Sequence, residues 1–78
     1  MVMITVYTLP NCVQCDQTKR YMDNNGIKYS AIDLSQDVAA STMVASMGYR
    51  QAPVVITEHD HWSGFRLEKL KQLPKEHK

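Results

Sequence analysis

Cys12 and Cys15 are the only two cysteines in a chain of 78 residues, and the spacing between them decides what they can do. A disulfide across so short a loop contributes about 2 kcal/mol on chain-entropy grounds, against about 3 for a fifteen-residue loop, and ring strain lowers it further. It would tie the chain only to its own neighbour, so it is a poor staple. Two thiols separated by Val13 and Gln14 can instead form and break a disulfide with little backbone motion. Such a pair is a redox couple, or half of a metal site when other ligands join it.

Position decides reactivity. Cys12 falls where an apolar, strand-like segment hands over to a helical pattern. A helix N-terminus carries unpaired N–H groups and about half a positive charge, both of which favour thiolate over thiol. An ordinary thiol of pKa near 8.5 is about 3% ionised at pH 7, and one near 7 is half ionised. That difference of roughly 1.5 units is worth about 2 kcal/mol, the upper end of what a helix terminus supplies. Cys15 comes one turn later on the same face, less exposed and further from the positive end. Cys12 is therefore expected to attack, and Cys15 to resolve the mixed disulfide.

The elements that must hold the pair are legible in the pattern. Met1 to Thr8 is rich in β-branched and aromatic residues on both alternating sets, as expected of a strand buried on both faces. Leu9-Pro10-Asn11 ends it, with Asn11 the expected helix N-cap. A helix is predicted from Cys12 or Val13 to Asn25, with Thr18, Met22 and Tyr21 inward and Gly26 closing it. Ile27 to Leu34 reads as a second strand. Ser35 is expected to cap a second helix, with Asp37 in its first turn and Ala40, Met43, Val44 and Met47 as its buried stripe; Gly48 ends it. Pro53 to Thr57 is an apolar strand, Glu58-His59-Asp60 a turn, and His61 to Phe65 an antiparallel return. A short last helix places Leu67, Leu70 and Leu73 on one side, Pro74 stops it, and Lys75 to Lys78 is expected to be a loose tail. Strand, helix, strand with short loops is a βαβ unit of parallel strands with a right-handed crossover. The whole pattern, β-α-β-α-β-β-α, is a single α/β domain with helices layered on a mixed four-stranded sheet.

Composition narrows the function. Apolar residues make up 44% and charged residues 22%, enough for a core in one small domain and unlike a disordered tail. The formal net charge is +1, so the basic surplus of a nucleic-acid binder is missing. No apolar run reaches the ~20 residues of a membrane span. The N-terminus has no basic start and turns strand-like at once, unlike a signal peptide. A cytoplasmic monomer is expected, where lasting structural disulfides are rare. A zinc site would have to add His59 and His61 to the cysteines, but a single residue between histidines departs from the usual spacing of three to five. His59, His61 and His77 are otherwise read as exposed surface.

Three segments then resemble one family: Thr8-Leu9-Pro10-Asn11-Cys12-Val13-Gln14-Cys15, Gly48-Tyr49-Arg50-Gln51-Ala52-Pro53-Val54-Val55 and His61-Trp62-Ser63-Gly64-Phe65-Arg66. Together they resemble the NrdH-redoxins, small glutaredoxin-like proteins with thioredoxin-like activity, from Met1 to about Leu73. The resemblance implies a thioredoxin fold and a dithiol–disulfide oxidoreductase that delivers electrons to class Ib ribonucleotide reductase, at its large subunit. It implies that thioredoxin reductase, rather than glutathione, regenerates the dithiol at the expense of NADPH, and that no cofactor or metal is bound beyond the Cys12–Cys15 disulfide itself. It implies a cis peptide at Ala52-Pro53 facing the cysteines, with the Ala52 backbone pairing an extended partner segment. Thr8, Pro10, Asn11, Val13, Gln14, Gln51, Ala52 and Pro53 would form the active-site loops, and Trp62, Ser63, Gly64, Phe65 and Arg66 the partner surface beside them. On packing grounds Trp62 and Phe65 also read as hairpin core, and Arg66 as an ion-pair former at a helix start. Two positions depart from the family pattern. Leu9 stands where a basic residue is common and, in glutaredoxins, helps hold the glutathione carboxylate; Leu67 stands where proline is usual. The competing functions are a glutathione-linked glutaredoxin, a general thioredoxin-like protein disulfide reductase, and a zinc-binding interaction module.

Overall fold

A computed structural model describes residues 3–74; the first two positions of the expected first strand and the expected tail, with His77, lie outside them. The elements run β1 (Thr5–Thr8), α1 (Val13–Asn24), β2 (Ser30–Asp33), α2 (Val38–Ser46), β3 (Val54–Ile56), β4 (His61–Ser63) and α3 (Leu67–Leu70). The order of the sheet is β2-β1-β3-β4. β1 runs parallel to β2, as the βαβ reading requires, and antiparallel to β3, which pairs antiparallel with β4. This is the thioredoxin/glutaredoxin arrangement of a mixed sheet with three helices.

One row of cross-strand partners makes the core. Val6 lies opposite Val55, and Val55 opposite Trp62. All three are buried and cluster with Ile4, Met22 and Ile27 from the α1 side and Leu70 from α3. The other face is thinner. Val54 packs near Val44 of α2, while Thr5 and Tyr7 of β1 stay half-buried. The expectation of full burial on both faces of β1 is therefore corrected: a single helix of nine residues does not cover the second face.

Helix ends account for the other boundary corrections. α1 closes with a Schellman motif, in which the Ile27 N–H donates to the Met22 carbonyl (2.9 Å) and Gly26 to Asp23 (3.5 Å). Ile27 is thereby spent on the helix end and the core, and strand pairing begins only at Ser30. Tyr21, expected inward, is half-buried at the edge of the core. α2 is capped by Asp37, whose carboxylate accepts from the Ala40 N–H at 2.9 Å; the expected cap Ser35 instead gives its N–H and hydroxyl to Asp33. Only Ala40 and Val44 of the expected stripe are buried, and Met43 is 37% exposed. At the far end of α2, Gly48 has φ +93°, a conformation cheap only for glycine. It turns the chain so that the Tyr49 N–H reaches the Val44 carbonyl at 3.2 Å. That second Schellman closure delivers Arg50, Gln51 and Ala52 toward the cysteines.

Tyr29 gives the fold a pH signature. Burial, then its hydrogen bond to Asp23 (3.1 Å), then the Asp23 charge, push its hydroxyl up to about 12. A pKa raised in the folded state favours the protonated form, so the contribution is complete below the unfolded value near 10. It is lost as pH rises from about 10 through 12. Urea unfolding between pH 9 and 12 is expected to show falling stability, and Tyr29→Phe to flatten that slope.

Candidate active site

The first turn of α1 is built around sulfur. Cys12 is the N-cap residue, and its Sγ accepts the Cys15 backbone N–H at 3.1 Å. Serine, threonine, asparagine or aspartate oxygen usually fills this role; here the expected nucleophile takes it. Asn11, the expected cap, instead adopts φ +59°, a conformation asparagine tolerates better than most side chains. That residue swings the chain from β1 into the helix and sets the Cys12 sulfur over the free N–H groups.

Cys12 and Cys15 form a disulfide. Cys12 is half-buried, while Cys15 is fully buried, beside Thr18 and Met22 on the inner face of α1. The sequence asymmetry between an accessible and a less exposed sulfur is present in the fold. The Ala52-Pro53 peptide is cis, and the Ala52 carbonyl oxygen lies 3.7 Å from Cys12 Sγ. Two segments distant in sequence thus meet at the reactive sulfur.

A third segment locks onto both. The Gly64 N–H donates to the Pro53 carbonyl (2.8 Å), and the Phe65 N–H donates to Gln14 Oε1 (3.0 Å). Gln14, between the two cysteines, therefore ties the start of α1 to the loop after β4. Gly64 has φ +83°, and a Cβ there would lie 3.2 Å from Gln14 Oε1. Gly64→Ala is expected to cost roughly 1–2 kcal/mol from the backbone conformation alone. Urea unfolding checks it, and a matching loss should be absent at Ser63→Ala.

An open groove of about 500 Å³ passes over Cys12. Of the residues expected in the active-site loops, Pro10, Asn11, Val13, Gln14, Gln51 and Ala52 line it; Thr8 and Pro53 do not, being buried behind it. Two lining residues were not among the expected site positions, Leu9 and Arg50. Both lie in the segments that carry the family resemblance, and Leu9 stands where that pattern usually has a basic residue; that is the signal that could have found them. Leu9 (41% exposed) and Val13 (72%) give the rim an apolar character.

The expected partner surface divides. Trp62 is 4% exposed and belongs to the core, so its place on that surface is corrected; its register partner Val55 holds it inward. Ser63, Gly64 and Phe65 are half-buried beside the groove, and Arg66 is exposed and pairs with Glu68 at the start of α3 (2.6 Å). The zinc alternative fails on placement. His59 and His61 sit at the β3–β4 turn, at the Thr5 end of the sheet, whereas the cysteines follow its Thr8 end. There His61 bonds to Tyr49 through Nδ1, and Asp60 pairs with Lys69 at 2.6 Å. No group of three or more metal-ligating side chains converges among the described residues.

Comparison with known proteins agrees with this geometry. A glutaredoxin family model matches residues 4–62. The glutaredoxin-like protein NrdH of Escherichia coli K12 is 41% identical over 70 residues, covering 90% of this chain and 86% of that one. The chain belongs to the NrdH glutaredoxin-like proteins. NrdH of Lactococcus lactis MG1363 is 34% identical, covering 91% of this chain and 99% of its own. The solved structure of the E. coli NrdH-redoxin superposes with a TM-score of 0.90 at 39% identity, over 95% of this chain and 97% of that one. As an NrdH-type redoxin with a Cys12–Cys15 disulfide, the protein is a thiol–disulfide oxidoreductase.

Proposed function

We propose that this redoxin passes electrons from NADPH, through thioredoxin reductase, to the large subunit of class Ib ribonucleotide reductase, as a monomer in the cytoplasm. The observation that carries the chemistry is the Cys15 N–H held 3.1 Å from Cys12 Sγ at the mouth of α1. In the reduced protein that N–H and the helix terminus stabilise negative charge on Cys12. The direction of electron flow is supported by kinship: the E. coli relative is described as glutaredoxin-like with a thioredoxin-like activity profile. Among the described residues no helix is long and apolar enough to cross a membrane.

The exchange runs in two displacements. The Cys12 thiolate attacks one sulfur of the partner disulfide, forming a Cys12–partner bond and releasing the partner's other sulfur as a thiolate, which takes up a proton. Cys15 then loses its proton and attacks Cys12 Sγ, forming the Cys12–Cys15 bond and releasing the second partner thiolate, which takes up that proton. The partner gains two electrons and two protons, and the reductase returns the same to the redoxin from NADPH. Ala52 offers its backbone to the partner segment as an added strand would, and Gln14, Gly64 and Phe65 keep the three loops in register.

The test is a pair of coupled assays on the oxidised protein. One contains NADPH and thioredoxin reductase, the other glutathione with its reductase and NADPH. NADPH consumption is expected in the first. Turnover confined to the second would replace this reading with a glutathione-linked glutaredoxin.

A further inference from the structure

Among the described residues, Arg50 is the one charged side chain lining the groove over Cys12. A smaller, more enclosed recess of about 190 Å³ adjoins it, sharing Leu9, Arg50, Gln51 and Ala52 and extending toward Leu34, Val44 and Tyr49. Among the described residues Arg50 is again its only charged lining residue. Arg50 is exposed and makes no ion pair among the described residues. Among the described residues no carboxylate lines either depression, so the five donors of the guanidinium are available to a partner.

Its backbone is not loose. The Schellman closure at Gly48 anchors Tyr49 on one side, and Ala52, against Cys12 Sγ, fixes the other. Arg50 precedes Ala52 by two residues, so the two lie at most roughly 7 Å apart along the chain. A partner segment lying along Ala52 with its disulfide at Cys12 would place residues within a few positions of its cysteine beside Arg50. The net charge of +1 supplies little long-range steering, so selection by charge must be local.

We propose that Arg50 is a specificity residue that selects protein disulfides flanked by acidic residues, docking the partner as an extended segment whose carboxylate pairs with the guanidinium. This rests on the oxidoreductase reading of the same groove and adds the chemistry of its substrate. Arg50 lies on the partner side of the reaction and takes no part in the sulfur displacements. An exposed pair of this kind is worth at most about 1 kcal/mol, or roughly fivefold in rate, and bidentate geometry places it at the upper end of that range.

The test uses three synthetic peptides with the same Cys-x-x-Cys disulfide, flanked by glutamates, by glutamines or by lysines. The reduced redoxin acts on each at low salt, and peptide thiol formation is followed. The acidic peptide is expected to react about three- to fivefold faster than the neutral one, the basic one more slowly. The order should collapse above ~0.5 M salt. Arg50→Ala should level the three rates, and Arg50→Glu should reverse their order. The reversal also separates docking from any change in Cys12 ionisation, which would shift all three together. Equal rates at low salt for the unaltered protein, or an unchanged order in Arg50→Glu, would overturn the proposal. So would faster reduction of oxidised glutathione than of the acidic peptide, since the carboxylates would then be those of a small anion. Reduction of the neutral peptide stands apart: its absence would sink the protein-disulfide reading itself.

Discussion

Replacing Cys12 by serine is expected to bring disulfide reduction down to background, a loss of at least about a thousandfold, because the thiolate is the nucleophile and a hydroxyl is not ionised at neutral pH. The structure makes the two cysteines unequal in this respect. Cys12 is half-buried, caps α1 and lines the groove, whereas Cys15 is fully enclosed. Cys15→Ser therefore has a different expected outcome. Cys12 still attacks, but nothing displaces the partner, and a mixed disulfide accumulates. Stopped-flow rates report the first variant, and intact mass after incubation with a disulfide peptide reports the second. Full activity in Cys12→Ser would transfer the attack to Cys15 and contradict the burial of its sulfur.

Trp62→Ala is expected to cost about 3–5 kcal/mol, the usual range for emptying a large aromatic site. A domain of this size has roughly 4–12 kcal/mol of stability in total, so the variant should lose at least about a quarter of it and melt well below its parent. Trp62 joins β4 to β3 through Val55 and stands in the same cluster as Val6, Met22 and Leu70. Its loss removes packing from the sheet and from both helices on that face. Trp62→Phe is the control. It keeps an aromatic ring in the core and deletes an indole N–H that has no hydrogen-bond partner among the described residues; it should lose far less. Thermal melts by far-UV circular dichroism distinguish the two. A Trp62→Ala protein that melted like its parent would return Trp62 to the partner surface.

Element order, the parallel β1–β2 and antiparallel β3–β4 pairings and the reactive pair were legible because each rests on local periodicity, whereas the β1–β3 pairing was not. The apolar run before Pro10, the helical spacing through Met22 and the glycines at 26 and 48 leave few alternatives. Errors gathered at boundaries, where one residue has two local uses. Ser35 and Asp37 both qualify as caps, and the choice fell to Asp37 because Ser35 is engaged by Asp33. Ile27 qualifies as a strand start, yet it completes the α1 end and joins the core. Asn11 and Cys12 compete for the N-cap, and cap chemistry on its own favours asparagine. Trp62 and Phe65 could face inward or outward by pattern; pairing with Val55 sent Trp62 in.

By itself, the sequence determined that two thiols too close to brace the chain sit where a strand becomes a helix. That is a matter of residue type and spacing, which set the thiol–disulfide chemistry and underlie the proposed order of attack. Only the tertiary structure decided what surrounds the sulfur. Ala52 reaches Cys12 across 40 positions of sequence, and Phe65 reaches Gln14 across 51. Contacts of that range depend on sheet order and loop closure, for which no local periodicity exists. The same closure leaves Arg50 as the one charge lining the groove among the described residues, a fact about convergence that no reading of neighbours along the chain contains.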